Sequence, residues 1–182
     1  HCDGRPWVPR SPIARVLVEG CRLWWRPQVA RRTVVDLCCG GGSLGIIAAH
    51  VFTSSVVLLS DIDQRALSLA HENIQRCAPN GRVHCVMAHL LTPLAPKSID
   101  LILANPPYVS TIEMRQLPPE YRYEPYGALQ ADEKGVALAV ELLRDATRVL
   151  SDSGLLILEV GESVEALERR LPKVPFTWID LP

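Results

Sequence analysis

The sequence predicts an α/β fold: a mostly parallel sheet with helices on both faces. Three observations predict it. Short runs rich in Val, Ile and Leu recur along the chain, stripes of helical period lie between them, and a glycine cluster follows the first run. With 182 residues, 48% of them hydrophobic, the chain can bury one sizeable core and is short for two. Residues 1–32 are expected to form an N-terminal extension with a lead-in helix, and residues 33–182 a single domain.

Taken in order, the strand candidates are TVVDL (33–37), SVVLLS (55–60), RVHCVM (82–87), IDLILA (99–104) and GLLILEV (154–160). PFTWIDL, near the end, is a sixth. Between them Ala66, Leu67, Ala70, Ile74 and Cys77 share one helical face, as do Val136, Ala139, Val140, Leu143 and Leu150. Asp63 stands where an N-cap would open the earlier of these helices, and Pro79-Asn80-Gly81 closes it. The stretch from Asn105 to about Asp132 far exceeds the usual loop of about 4–6 residues. It holds five prolines and all four tyrosines, which suits a stiff segment facing a ligand.

Several function classes are excluded or disfavoured. A net charge of −1 with signs mixed along the chain lacks the basic face of an electrostatic nucleic-acid or membrane-surface binder. The six cysteines show no CxxC spacing and read as reduced thiols, with no metal site. No apolar run reaches the roughly 20 residues of a membrane span, and the first residues lack the apolar centre of a signal peptide, so a soluble, cytoplasmic protein is expected. The chain begins at His1 rather than Met, which suggests a front that has been cut or is only partly covered.

Chemistry is concentrated after the strands. Gly40, Gly41 and Gly42 let the backbone turn sharply and approach a ligand, with the N-terminus of the next helix aimed at the same place. The loop departs from the GxGxxG of dinucleotide sites, since Cys38 stands where the first glycine would fall. It also begins with an acid, Asp36, which suits the cationic amine and sulfonium of S-adenosyl-L-methionine better than a pyrophosphate. Asp61 ends the second strand, where an acid can take both hydroxyls of a ribose. Asp36, Asp61 and Asn105 each close a strand at the carboxyl edge, where open α/β sheets bind ligands. In Asn105-Pro106-Pro107-Tyr108 the prolines hold Asn105 extended. The Asn105 side-chain oxygen and the Pro106 carbonyl then form two acceptors suited to a planar NH2 group, with the Tyr108 ring to stack on it.

This constellation resembles the NPPY motif of class I S-adenosylmethionine-dependent amino-methyltransferases, with their Rossmann-like sheet. PWVPRSPIARVL, VVDLCCGGGSLGI, SDIDQRALSLAHENI, LANPPYVSTIEMRQLPPEYRYEP, LLILEVGES and VPFTWIDL look like the HemK-type protein-glutamine methyltransferases, from about Trp7 to Leu181. MRQLPPEYRYEP and VPFTW resemble most the PrmB branch, which acts on large-subunit ribosomal protein three (uL3). The resemblance implies Asn105, Pro106, Pro107 and Tyr108 as catalytic residues. It implies Asp36, Cys38, Gly40, Gly42, Asp61, Ile62, His89 and Asn105 as cofactor contacts, and Glu124 as an organiser of the substrate loop. The implied partner is a translation-related protein, with nucleic acid present only as part of a ribosomal assembly.

The chain departs from the family at three points. Almost nothing precedes Trp7, where the family carries a small helical domain. His89 replaces the acid that contacts the adenine amine. The sequence ends after the sixth strand candidate, so the seventh, antiparallel strand is expected to be missing, through truncation or supply by a partner. The rival readings are a release-factor glutamine methyltransferase, an adenine methyltransferase of nucleic acid, a small-molecule N-methyltransferase and an inactive cofactor-binding scaffold.

Overall fold

The computed structural model describes residues 11–19, 32–78, 81–107 and 136–180. Five parallel strands form one sheet: β1 (Thr33–Leu37), β2 (Val56–Asp61), β3 (Val83–Met87), β4 (Ile99–Ala104) and β5 (Leu150–Leu158). Their order across the sheet is β3-β2-β1-β4-β5. The chain therefore runs outward from β1 through β2 to β3, then returns to the other side of β1 to lay down β4. That reversal opens a crevice between the carboxyl ends of β1 and β4.

Strand side chains alternate between the two faces. Val34, Val57, Leu59, Leu101 and Leu103 pack with Ile13 and Leu17 of α1 (Ile13–Val18), Ala48 and Ala49 of α2 (Ser43–Val51) and Ala70 and Ile74 of α3 (Gln64–Cys77). On the opposite face Val35, Leu37, Ile102 and Ala104 meet Leu142, Ala146 and Val149 of α4 (Ala137–Val149). A third cluster joins α4 to α5 (Val164–Arg170) through Val140, Val160 and Leu167. Asp63 caps α3 as its sequence position predicts, its carboxylate accepting the Arg65 N–H at 2.8 Å. Arg82 closes the far end of α2 by donating to the carbonyls of Ala49, Phe52 and Ser55.

Two expectations are corrected. β5 starts at Leu150 rather than at Gly154, because Leu150 already pairs with Ile99 and the register shifts before Leu101 meets Leu155. Gly154 marks this irregularity: a Cβ there would come within 3.0 Å of the Ile99 and Ser151 carbonyls and the Leu150 side chain. The expected sixth strand does not form over residues 175–180. A strand exists only through bonds to a neighbour, and no strand among the described residues lies beyond β5. Instead Phe176 stacks on Trp178, with ring centroids 5.0 Å apart, and the indole N–H of Trp178 donates to Glu168 of α5 at 2.8 Å.

Candidate active site

The glycine loop fills the turn from β1 into α2. Gly40 and Gly42 take left-handed φ values of 52° and 76°, and Cys38 takes φ 53° as well. The loop thus demands glycine-like geometry at the position where the sequence substitutes Cys38. Gly42 also lies tight against the neighbouring elements. A Cβ on it would sit 2.6 Å from Leu59 Cδ1 and 3.2 Å from Ala70 Cβ.

Three groups from neighbouring elements hold this loop. The Cys39 N–H donates to the Ser60 carbonyl at 3.1 Å, and the Gly40 N–H to Asp61 Oδ2 at 2.9 Å. The Gly41 carbonyl accepts Asn73 Nδ2, from α3, at 2.9 Å. Asp61 also takes the Asp63 N–H on Oδ1 at 2.9 Å. Each carboxylate oxygen keeps a second lone pair, so the fixed Asp61 can still receive ligand hydroxyls.

Asp36 sits deeper than its place in the sequence suggested. It is 1% exposed, under the first turn of α2, and its Oδ2 accepts the Gly45 N–H at 2.8 Å. Burial pushes its carboxyl up to about 8, against the pull of the Gly45 hydrogen bond and with a further push from the Asp61 charge. Burial likewise raises the Cys38 thiol to about 12, which keeps it a thiol rather than a thiolate nucleophile.

At the rim, Ile62 and Met87 are each 67% exposed, and Met87 ends β3 opposite Asp61 in the register. They offer an apolar face beside the carboxylate. His89 follows on the exposed side, with Nδ1 3.6 Å from Glu141 of α4. Across the crevice Asn105, Pro106 and Pro107 leave the end of β4, with Asn105 and Pro107 half-buried and Pro106 buried. None of the described hydrogen bonds engages the Asn105 amide. The structure thus places the glycine loop, Asp61 and Asn105 at three adjacent strand ends. Tyr108 and Glu124 lie outside the described residues.

Sequence reasoning missed Asn73, Gly45, Met87 and Glu159. For Asn73 the available signal was a polar residue on the apolar stripe of α3, where it is 7% exposed. For Gly45 it was a glycine inside a helix, which only close packing justifies.

The family model of the methyltransferase small domain matches residues 17–117. The chain belongs to this family. It is 37% identical over 177 residues to the ribosomal protein uL3 glutamine methyltransferase of Francisella tularensis, covering 97% of this chain and 56% of that protein. It is 42% identical over 178 residues to the protein of the same name from Xanthomonas campestris, covering 98% of this chain and 57% of the relative. The chain thus spans a little over half the length of these relatives. Among solved structures, the hMettl16 catalytic domain in complex with MAT2A 3'UTR hairpin 6 superposes with a TM-score of 0.68 at 14% identity. That match covers 95% of this chain and 66% of the other, and shows a shared fold. Among the described residues no group of His, Cys, Asp and Glu could hold a metal ion, and no helix is long and apolar enough to cross a membrane.

Proposed function

We propose that this chain uses S-adenosyl-L-methionine to methylate the side-chain amide nitrogen of a glutamine in ribosomal protein uL3, in the cytoplasm, with residues 33–182 as the methyltransferase domain. The observation that carries the reading is the juxtaposition of Asn105-Pro106 with the glycine loop and Asp61 at neighbouring strand ends of one sheet. The relatives named for uL3 support the choice of acceptor.

When bound, the cofactor supplies an electrophilic methyl on a sulfonium. Asp61 would receive the ribose hydroxyls, Ile62 and Met87 would offer their exposed apolar side chains to the base, and His89 would meet the adenine amine. Buried Asp36, raised to about 8 by burial, is largely protonated near neutral pH, and a cation bound beside the loop would favour its ionised form. An amide nitrogen is a weak nucleophile because its lone pair is delocalised into its carbonyl. Asn105 Oδ1 and the Pro106 carbonyl accept its two hydrogens, which aims the nitrogen and stabilises the positive charge that develops on it. No general base is needed before attack, since the proton becomes acidic only after the new bond forms. Tyr108 and Glu124 complete the acceptor side.

The test is Asn105→Ala. Cofactor affinity measured by calorimetry should stay near that of the parent, while methyl transfer to uL3 falls on the order of 10²-fold or more. Undiminished turnover would sink the role given to Asn105. Release factor and adenine-containing DNA, run as competing acceptors, distinguish the rival substrates.

A further inference from the structure

Two of the described hydrogen bonds meet at Glu159, a residue that the methyl-transfer reading leaves unused. The Glu159 N–H donates to the Ala104 carbonyl at 2.9 Å, and Ala104 is the residue immediately before Asn105. The Glu159 carboxylate accepts the Ser11 hydroxyl at 2.6 Å, joining segments 148 residues apart. That length is typical of a hydroxyl donating to a carboxylate.

Ser11 also organises the start of α1. Its hydroxyl oxygen accepts the Ile13 N–H at 3.3 Å and its carbonyl accepts the Ala14 N–H at 3.2 Å. Ile13 and Leu17 anchor the body of α1 in the core beside α2. The helix is therefore held by packing along its length, and its beginning is held by Glu159. The strand order shows which half of the site this affects. β5 lies on the far side of β4 from β1 and β2, so Glu159 stands on the side of Asn105 away from the glycine loop and Asp61.

We propose that Ser11 and Glu159 form a latch that docks the start of α1 beside the strand end carrying Asn105, making both positioning residues for the methyl acceptor rather than for the cofactor. This rests on the methyl-transfer reading above for which half of the site receives the acceptor. The latch itself is a hydrogen-bonded connection that can be read without turnover.

The experiment compares Ser11→Ala, Glu159→Ala, their double variant and Glu159→Gln, which retains an oxygen to accept the hydroxyl. Each alanine variant should raise the KM for uL3 about tenfold, the effect of losing one hydrogen bond to a charged group, and leave the Kd for S-adenosyl-L-methionine unchanged. The double variant should be no worse than the worse single one, as expected for one shared interaction. Glu159→Gln should recover most of the loss. Multiplying defects in the double variant, or cofactor affinity falling in parallel with KM, would overturn the latch. Amide exchange supplies the turnover-free readout: Glu159→Ala should speed exchange at Ala14 about tenfold, and unchanged exchange there overturns the latch even if turnover is absent. Lack of any transfer by the parent chain would instead sink the methyl-transfer reading.

Discussion

Replacing Gly42 by alanine separates two reasons for a glycine in the loop. Gly42 has φ 76° and Gly81 has φ 72°, so an alanine at either position meets the same left-handed penalty, about 1–2 kcal/mol. Their surroundings differ. A Cβ at Gly81 meets nothing within 4 Å, whereas one at Gly42 would sit 2.6 Å from Leu59 Cδ1 and 3.2 Å from Ala70 Cβ. Leu59 is fully buried in β2, an interior strand between β3 and β1, so it cannot swing clear, and forcing it aside costs about 1–3 kcal/mol more. Gly81→Ala should therefore cost about 1–2 kcal/mol and Gly42→Ala about 2–5 kcal/mol, a large part of the stability of a domain this size. Urea unfolding of both variants, with equal m-values required, measures the difference. Equal losses would refute the argument that close packing on Leu59, rather than backbone conformation alone, demands glycine there.

Asp36→Asn tests the buried carboxyl while keeping an oxygen for the Gly45 N–H. Because burial raises the folded-state value from 3.8 to about 8, the native state holds a proton that the unfolded state has lost. The parent is therefore stabilised at low pH and loses that contribution as pH rises through about 8. Thermal midpoints from pH 5.5 to 8.5 should fall for the parent relative to Asp36→Asn, and parallel profiles would count against the assignment. Asn73→Leu removes the donor to the Gly41 carbonyl together with Asn73 Oδ1, a buried oxygen with no partner among the described residues. The lost bond and the shed unpaired group, each about 1 kcal/mol, should nearly cancel in stability. Affinity for S-adenosyl-L-methionine should still fall about fivefold to tenfold as the loop loosens, an outcome that calorimetry checks.

Much of the site could be read along the chain because its signals are local. A proline restricts the geometry of the residue before it, so Asn105 could be placed at the end of a strand from the sequence, where it directly follows β4. An acid before a helical stripe is a cap wherever the helix later packs, which is why Asp63 was placed correctly. Asp36 was legible as an acid beside the loop but not as a buried one, since its burial depends on α2 folding back over β1. Asn73 and Glu159 gave little warning, because their partners, Gly41 and Ser11, are 32 and 148 residues away.

The sequence by itself determined the five strands, the helices between them and the concentration of chemistry at the strands' carboxyl ends. β-branched runs, helical stripes, caps and prolines act over a few residues and need no distant partner. Only the tertiary structure decided what depends on neighbours. It set the β3-β2-β1-β4-β5 order that brings Asp61, the glycine loop and Asn105 together, and the contact with Leu59 that excludes any side chain at Gly42. It also decided the fate of residues 175–180, whose pattern fits a strand. Backbone hydrogen bonds make a strand only where another strand lies alongside, and the described residues place α5 there instead.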